Sequence, residues 1–288
     1  MYQKEKPLLF LLPSLTVLVL VVIFPTVFLY YSSFFRWGLG AWHDRAFVGL
    51  YNYYFVLTDR FFYNSLIITL AYMFMCVTLE FLFGLVIAMT IAKIRVRAVV
   101  ISLLLIPMII APAAAGLIWS LMLNYTYGVI PYILKKLIGF SPAFLGPDYA
   151  FLSTVLVDVW MWTPFVALVI LAGMEALPRE PFEAAQLDGA SSWQIFQHIT
   201  IPLLKPLLIF IILLRSIDAL KTFDTIYVLT GGGPGQATEV LSLRIFKTGF
   251  FWGGYEMGKA SVIAIFLILL STLLVSTFIN IFRRLIRV

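Results

Sequence analysis

Charge is scarce in this sequence. Asp, Glu, Lys and Arg together make up 12% of its 288 residues, about half the share of roughly 25% found in soluble proteins. Apolar residues make up 62%, against roughly 45–50% in soluble domains, and a soluble fold of this length could not bury them. That excludes a water-soluble enzyme and a disordered chain, and it points to an all-α integral membrane protein. Cysteine is nearly absent. Cys76 is the single one, so no intrachain disulfide can form. The two histidines, His43 and His198, are far apart and lack ligand-like spacing, so neither a metal site nor a catalytic centre is expected. No GxxxxGK[S/T] stretch occurs, and the chain therefore offers no ATP site of its own. The glycine run Gly231 to Gly235 lacks the lysine of a phosphate cradle and follows an apolar span. The net charge of +6 does not imply nucleic acid, because the bases sit in short runs beside apolar stretches, as they do when they set membrane orientation.

What is abundant is apolar length. Six stretches, at about 8–35, 62–92, 98–123, 149–176, 202–222 and 258–282, are long enough to cross a hydrocarbon core of about 30 Å, which takes roughly 20 helical residues. Prolines fall inside several: Pro13 and Pro25 in the first, Pro107 and Pro112 in the third, Pro164 in the fourth. Proline-bent helices suit a transporter cavity and also occur in structural bundles. The first stretch is too long for a signal peptide, and no small-x-small cleavage site follows it. Lys4 and Lys6, then Lys93, Arg95 and Arg97, then Arg283, Arg284 and Arg287 fall on one side of a six-span bundle. That side is expected to be the cytoplasm, with both termini there. The expected division is an N-terminal helix with an external loop at 1–60 and a transmembrane core at 61–288.

The segment at about 177–202, between the fourth and fifth stretches, is the most informative. Pro181 suits a first helical turn. Phe182, Ala185 and Leu187 alternate with Glu183 and Asp188 to give a short amphipathic helix, and Gly189 is a natural stop. Ser191 with Gln194 forms a capping box for a second helix. One reading is a helix resting on lipid, but the segment holds Arg179 and several acids where a lipid-surface helix is rich in Lys and Arg. Glu183-Ala184-Ala185, Gly189 three residues on, then Ile199 and Pro202 resemble the EAA loop of ABC importer permeases, with Ile201 in place of leucine. The Asp188-Gly189-Ala190 triplet is similar too. Residues 223–238, with Asp158-Val159-Trp160 and Pro164-Phe165, resemble the maltose-type subunit of carbohydrate importers.

The resemblance implies a type I ABC importer permease fold of six transmembrane helices. It implies a coupling helix in which Glu183, Ala184, Ala185, Asp188, Gly189 and Ala190 face a cytoplasmic ATPase subunit. ATP and Mg would be bound by two such partner subunits, with no cofactor in this chain. The other implied partners are a second permease of a different chain, an extracytoplasmic solute-binding protein and membrane lipid. It also implies a sugar path lined by Met108 and Pro112, by Asp158, Met161, Trp162 and Phe165, and by Arg215, Asp218, Ala219 and Thr222.

Ionisable residues within spans default to function. Arg215, Asp218, Lys221 and Asp224 follow at intervals of three, so neighbours can meet on a helix. They read either as mutually neutralising ion pairs or as the wall of a water-filled path. Asp158 beside Trp160 and Trp162 reads either as a sugar site or as helix packing, and Glu80, standing apart, as packing. The function expected is uptake of a sugar or polyol by alternating access. The alternatives are an ion-coupled secondary transporter using Asp158, Asp218 or Glu80, and an importer of a non-sugar solute such as a glycerol phosphate.

Overall fold

The computed structural model describes residues 7–38, 43–92, 94, 97–251 and 256–286. Lys4, Lys6, Lys93, Arg95 and Arg287, on which the expected orientation draws, lie outside them. The chain is helical almost throughout. Helix α1 (Pro7–Leu18) continues through a π turn, Val19–Ile23, into α2 (Phe24–Ser33). A two-stranded antiparallel hairpin, β1 (Phe35–Arg36) and β2 (Ala46–Phe47), and α3 (Tyr51–Thr58) lead to α4 (Arg60–Ile91). Then come α5 (Arg97–Ile109), α6 (Pro112–Met122), α7 (Val129–Ile138), α8 (Ala150–Glu175) and α9 (Glu180–Leu187). Helix α10 (Ser192–Ile195) runs through a second π turn, Phe196–Thr200, into α11 (Ile201–Leu220). Helices α12 (Asp224–Leu229), α13 (Leu241–Phe246) and α14 (Met257–Ile286) complete the order.

Among the described residues five helices are long and apolar enough to cross a membrane, or six if the bent pair α5–α6 is one span. The expected third span is therefore present but broken: α5 and α6 meet at 93°. The cause is local. Pro112 bars the preceding residue from helical geometry, and Ala111 is extended at φ −59°, ψ 136°. Pro112 then starts α6, where its missing N–H costs nothing. The fifth span begins at Ser192 rather than near 202, and Pro202 lies inside it. A proline ring clashes with the carbonyl four residues back and removes its partner N–H. The π turn at Phe196–Thr200 widens the helix at that carbonyl, on His198, and Ile201 N–H bonds Phe196 O instead. The π turn at Val19–Ile23 stands in the same relation to Pro25.

The chain divides into two compact units. One comprises Met1–Tyr63 with Arg244–Leu269. There the buried Asn52 amide donates to Ser33 O at 2.8 Å and Phe35 O at 3.0 Å, and Arg244 pairs with Asp59. The other comprises Asn64–Leu243 with Leu270–Val288. Its core is an apolar cluster in which Ala88 and Ile91 of α4, Val166, Ile170 and Leu171 of α8, and Leu204, Leu208 and Ile211 of α11 pack together. Burying such side chains contributes about 1.5–3 kcal/mol each against water. In lipid that drive is absent and close packing takes over. Gly84 shows it. A Cβ there would lie 2.6 Å from Val166 Cγ1, so only glycine lets α4 approach α8 this closely.

Candidate functional site

Three spans of the second unit meet at a buried cation. Arg215, from α11, is 2% exposed. Its Nε donates to Glu80 Oε2 at 2.7 Å and its Nη2 to Glu80 Oε1 at 3.0 Å, a bidentate fork onto α4. Nη2 also donates to Asp158 Oδ2 on α8 at 3.1 Å. The guanidinium lies over the Trp162 ring, 4.7 Å from its centroid. Arginine suits the place because its planar fork matches a carboxylate and its face stacks on an aromatic ring. Gly84, one turn beyond Glu80, is where α4 comes close to α8.

The pairing continues outward with weaker contacts. Arg215 Nη1 is 3.6 Å from Asp218 Oδ2, beyond hydrogen-bond range. Lys221 Nζ is 3.1 Å from Asp218 Oδ1, and both side chains are about half-exposed or more. The row then stops. Helix α11 ends at Leu220 and Asp224 opens α12, where a carboxylate is favoured by the helix dipole. The interval of three thus joins the first three charges and not the fourth.

These residues line a cavity of about 230 Å³. Its walls are Pro112 from the break in the third span, Asp158 and Trp162 from α8, Arg215 and Asp218 from α11, and Lys221 to Thr225 beyond it. The Thr225 hydroxyl donates to Pro112 O at 3.4 Å, tying α12 to the start of α6. Of the ten residues expected on the path, Pro112, Asp158, Trp162, Arg215, Asp218 and Thr222 share this cavity. Met161 and Ala219 are buried in the packing. Phe165 packs against the apolar cluster, and Met108 lies on α5 away from the cavity walls. Phe223 and Thr225, which the sequence reading left out, line it too. Their signal is the chain reversal after Leu220, which spacing along one helix does not reveal. Glu80 does not stand apart: it is the principal partner of Arg215.

Cys76 Sγ and carboxylate oxygens of Glu80 and Asp158 lie within 4.8 Å of one another, a spacing open to a metal. Both carboxylates already hold the Arg215 cation, and a dication beside it would be repelled. The donor set does not fit a metal.

At the other end of α8 the arrangement is of a different kind. Helix α9 carries Glu183, Ala184 and Ala185, and Asp188 caps its end. Gly189 follows at φ 77°, a left-handed conformation that glycine takes without strain. The capping box forms as expected: Gln194 N–H donates to Ser191 Oγ at 3.3 Å and Ser191 N–H to Gln194 Oε1 at 2.8 Å. Leu187 is 90% exposed, and Trp193 on α10 is exposed as well. A cleft of about 620 Å³ separates α9 from the ends of α5 and α8, where Arg97 and Glu175 pair at 2.5 Å.

A family described as binding-protein-dependent transport system inner membrane component matches residues 80–288. The chain is 42% identical over 279 residues to the trehalose/maltose transport system permease protein MalF of Thermococcus litoralis, covering 96% of this chain and 94% of that protein. It is 34% identical to the sulfoquinovosyl glycerol transport system permease protein SmoG of Agrobacterium fabrum, over 96% of this chain and 89% of that one. In three dimensions it matches a chain of a bacterial alginate ABC transporter solved with an alginate pentasaccharide-bound periplasmic protein. The TM-score is 0.84 at 21% identity, over 98% of this chain and 96% of that chain.

Proposed function

From the premise that the chain belongs to the family of binding-protein-dependent transport system inner membrane components, we propose that it is one permease of an ATP-driven importer of a sugar or related polyol. It works by alternating access across the cytoplasmic membrane, with both termini in the cytoplasm. A second, different permease completes the path. Two cytoplasmic ATPase subunits bind ATP and Mg, and an extracytoplasmic solute-binding protein delivers the solute. The chain itself makes and breaks no covalent bond.

The observation that carries this reading is α9. It stands off the ends of the spans, ends at a left-handed glycine and leaves Leu187 almost wholly uncovered. A bare leucine at the end of a short helix that borders a cleft suits contact with another protein, and in the family that the sequence resembles this helix is the lever that passes ATPase closure to the spans. Nucleotide binding to the partners then biases one of two conformers.

The cavity supports a neutral, hydroxyl-rich solute. Glu80, Asp158, Asp218 and Asp224 stand against two bases, Arg215 and Lys221, and the guanidinium is committed to Glu80 and Asp158. Half-exposed carboxylates accept hydrogen bonds from sugar hydroxyls, and Trp162 and Phe223 offer aromatic faces. The same pairing engages both Glu80 and Asp158 with Arg215, so neither stands free as an ion-coupling group.

The test is uptake into proteoliposomes holding the assembled permease pair and ATPase, with ATP inside the ATPase compartment and binding protein on the other face. Uptake of a labelled sugar should require ATP and binding protein, and Leu187→Asp should abolish it while the spans still assemble. Uptake driven by a proton gradient without ATP would overturn the proposal.

A further inference from the structure

Between α6 and α8 the chain leaves the spans and forms one helix, α7, with the sequence Val-Ile-Pro-Tyr-Ile-Leu-Lys-Lys-Leu-Ile. At about 100° per residue, Val129, Ile130, Ile133, Leu134, Leu137 and Ile138 fall on one arc. Tyr132, Lys135 and Lys136 fall on the other. A helix of this kind inside a protein would have its apolar arc covered. Here Leu137 is 74% and Ile138 65% exposed, with Val129 and Ile133 close to half. Phe140, just past the Gly139 cap, is exposed as well.

Three observations identify what covers this face. The first is its level. Helix α7 follows the end of α6 at Met122 and precedes the start of α8 at Ala150, so it lies where the spans leave the membrane, on the side opposite α9. The linker cannot lift it away: Asn124 Oδ1 accepts from Thr126 N–H at 2.9 Å, and Gly128 N–H bonds Asn124 O at 2.8 Å, folding the chain tightly back. The exposed apolar face of α6, with Leu117, Ile118 and Leu121, leads directly into it.

The second is its flanks. Tyr125, Tyr127, Tyr132 and Tyr149 are all exposed around it, and tyrosine gathers at the membrane–water boundary because its ring is apolar and its hydroxyl wet. The third is charge. Lys135 and Lys136 are exposed, and neither makes an ion pair with a described residue. A helix with a basic polar face and a bare apolar face is the form that lies in the interface plane.

We propose that α7 rests in the lipid interface on that side, with its apolar arc at the acyl boundary and Lys135 and Lys136 at lipid phosphates. The membrane surface would then hold the far end of α6, whose first residue Pro112 lines the cavity. Through this support, lipid composition can act on the solute path. By contrast α9, with Glu180 and Glu183 in its first turn and no base in its last, suits a protein partner.

The experiment places a nitroxide on Leu137→Cys, and separately on Lys136→Cys, in the complete complex reconstituted into phosphatidylcholine vesicles with and without phosphatidylglycerol. Cys76 is fully buried, and unsubstituted protein serves as the labelling control. The Leu137 label should collide with oxygen more than with a water-soluble nickel chelate, and the Lys136 label should show the reverse order. Adding phosphatidylglycerol should deepen the Leu137 label, and Lys135→Gln with Lys136→Gln should remove that shift. A Leu137 label shielded from both agents would mean that a protein subunit covers the face. One open to the nickel chelate would mean that water does. Either result overturns the proposal, and a phosphatidylglycerol shift that survives the double substitution overturns the role of the lysines. Because the readout is lipid contact and not uptake, its outcome is separate from that of the importer reading.

Discussion

Arg215 is the residue on which the interior of the second unit depends. It neutralises two carboxylates from two other spans, and each would otherwise be a bare charge at membrane depth. Removing one partner of a buried pair costs about 3–5 kcal/mol, whereas removing the whole set is far milder. Arg215→Gln should therefore lower the thermal unfolding temperature and the yield of assembled complex in detergent. Combining it with Glu80→Gln and Asp158→Asn should recover most of the loss. If the triple variant is no better than the single one, the three groups do not act as a unit. Asp218 differs, although it belongs to the same row. Its side chain is 45% exposed and faces the cavity, so its pairing with Lys221 is worth at most about 1 kcal/mol. Asp218→Asn should leave thermal stability nearly unchanged and alter the solute concentration giving half-maximal uptake. Lost stability with unaltered uptake would make Asp218 structural. The row Arg215–Asp218–Lys221 was legible from its spacing. The pairing with Glu80, 135 positions away, was not, because it depends on how three helices cross.

At the level of elements, the segment after α8 is nearly independent of the rest of the fold, and for that reason it was readable in advance. Its helix start at Pro181, its stop at Gly189 and the Ser191–Gln194 box all rest on contacts within a few residues. Gly189→Val forces a branched side chain into φ 77°, a strain of about 1–3 kcal/mol, although the space around it is open. The spans should fold normally and the angle between α9 and α10 should change. Uptake should fall while nucleotide hydrolysis by the partner ATPase continues, measured together in proteoliposomes. Ser191→Ala removes the box and should cost about 1 kcal/mol, fraying the start of the fifth span with a smaller loss of coupling. Equal losses in both variants would argue against the turn as the coupling element. The third span behaves in the opposite way. Its prolines were visible, but a 93° break instead of a gentle kink follows from Ala111 being fully extended, with α6 then seated against α12.

For the whole molecule, the decisive feature is the separation of the cavity from α9 along α8. That helix has 26 residues, and from Asp158 to its end at Glu175 it runs about 26 Å at 1.5 Å per residue, carrying Trp162 on the way. Motion at its α9 end can reach the cavity as rigid-body displacement. On the importer reading the energy is expected from partner subunits, since the sequence holds no GxxxxGK[S/T] stretch. The purified permease pair should show no ATP hydrolysis above background, and hydrolysis should appear when the ATPase subunits are added and rise with loaded binding protein. Hydrolysis by the permease pair alone would contradict this.

By itself the sequence determined that the chain crosses a membrane, roughly where it does so, and where the short helices α9 and α10 and the turn between them lie. These depend on apolar run length, on proline and glycine geometry and on contacts between near neighbours, all of which act along the chain. It also marked Asp158, Arg215 and Asp218 as residues too costly to be incidental. Tertiary structure alone decided what those charges do. Glu80 and Asp158 reach Arg215 only because α4, α8 and α11 cross at that level, and the cavity gains Phe223 and Thr225 only because residues beyond the end of α11 at Leu220 return to its wall. Pairing between helices is set by packing in three dimensions, where one methyl group at a crossing changes which side chains can touch, and no periodicity along a single strand of sequence carries that information.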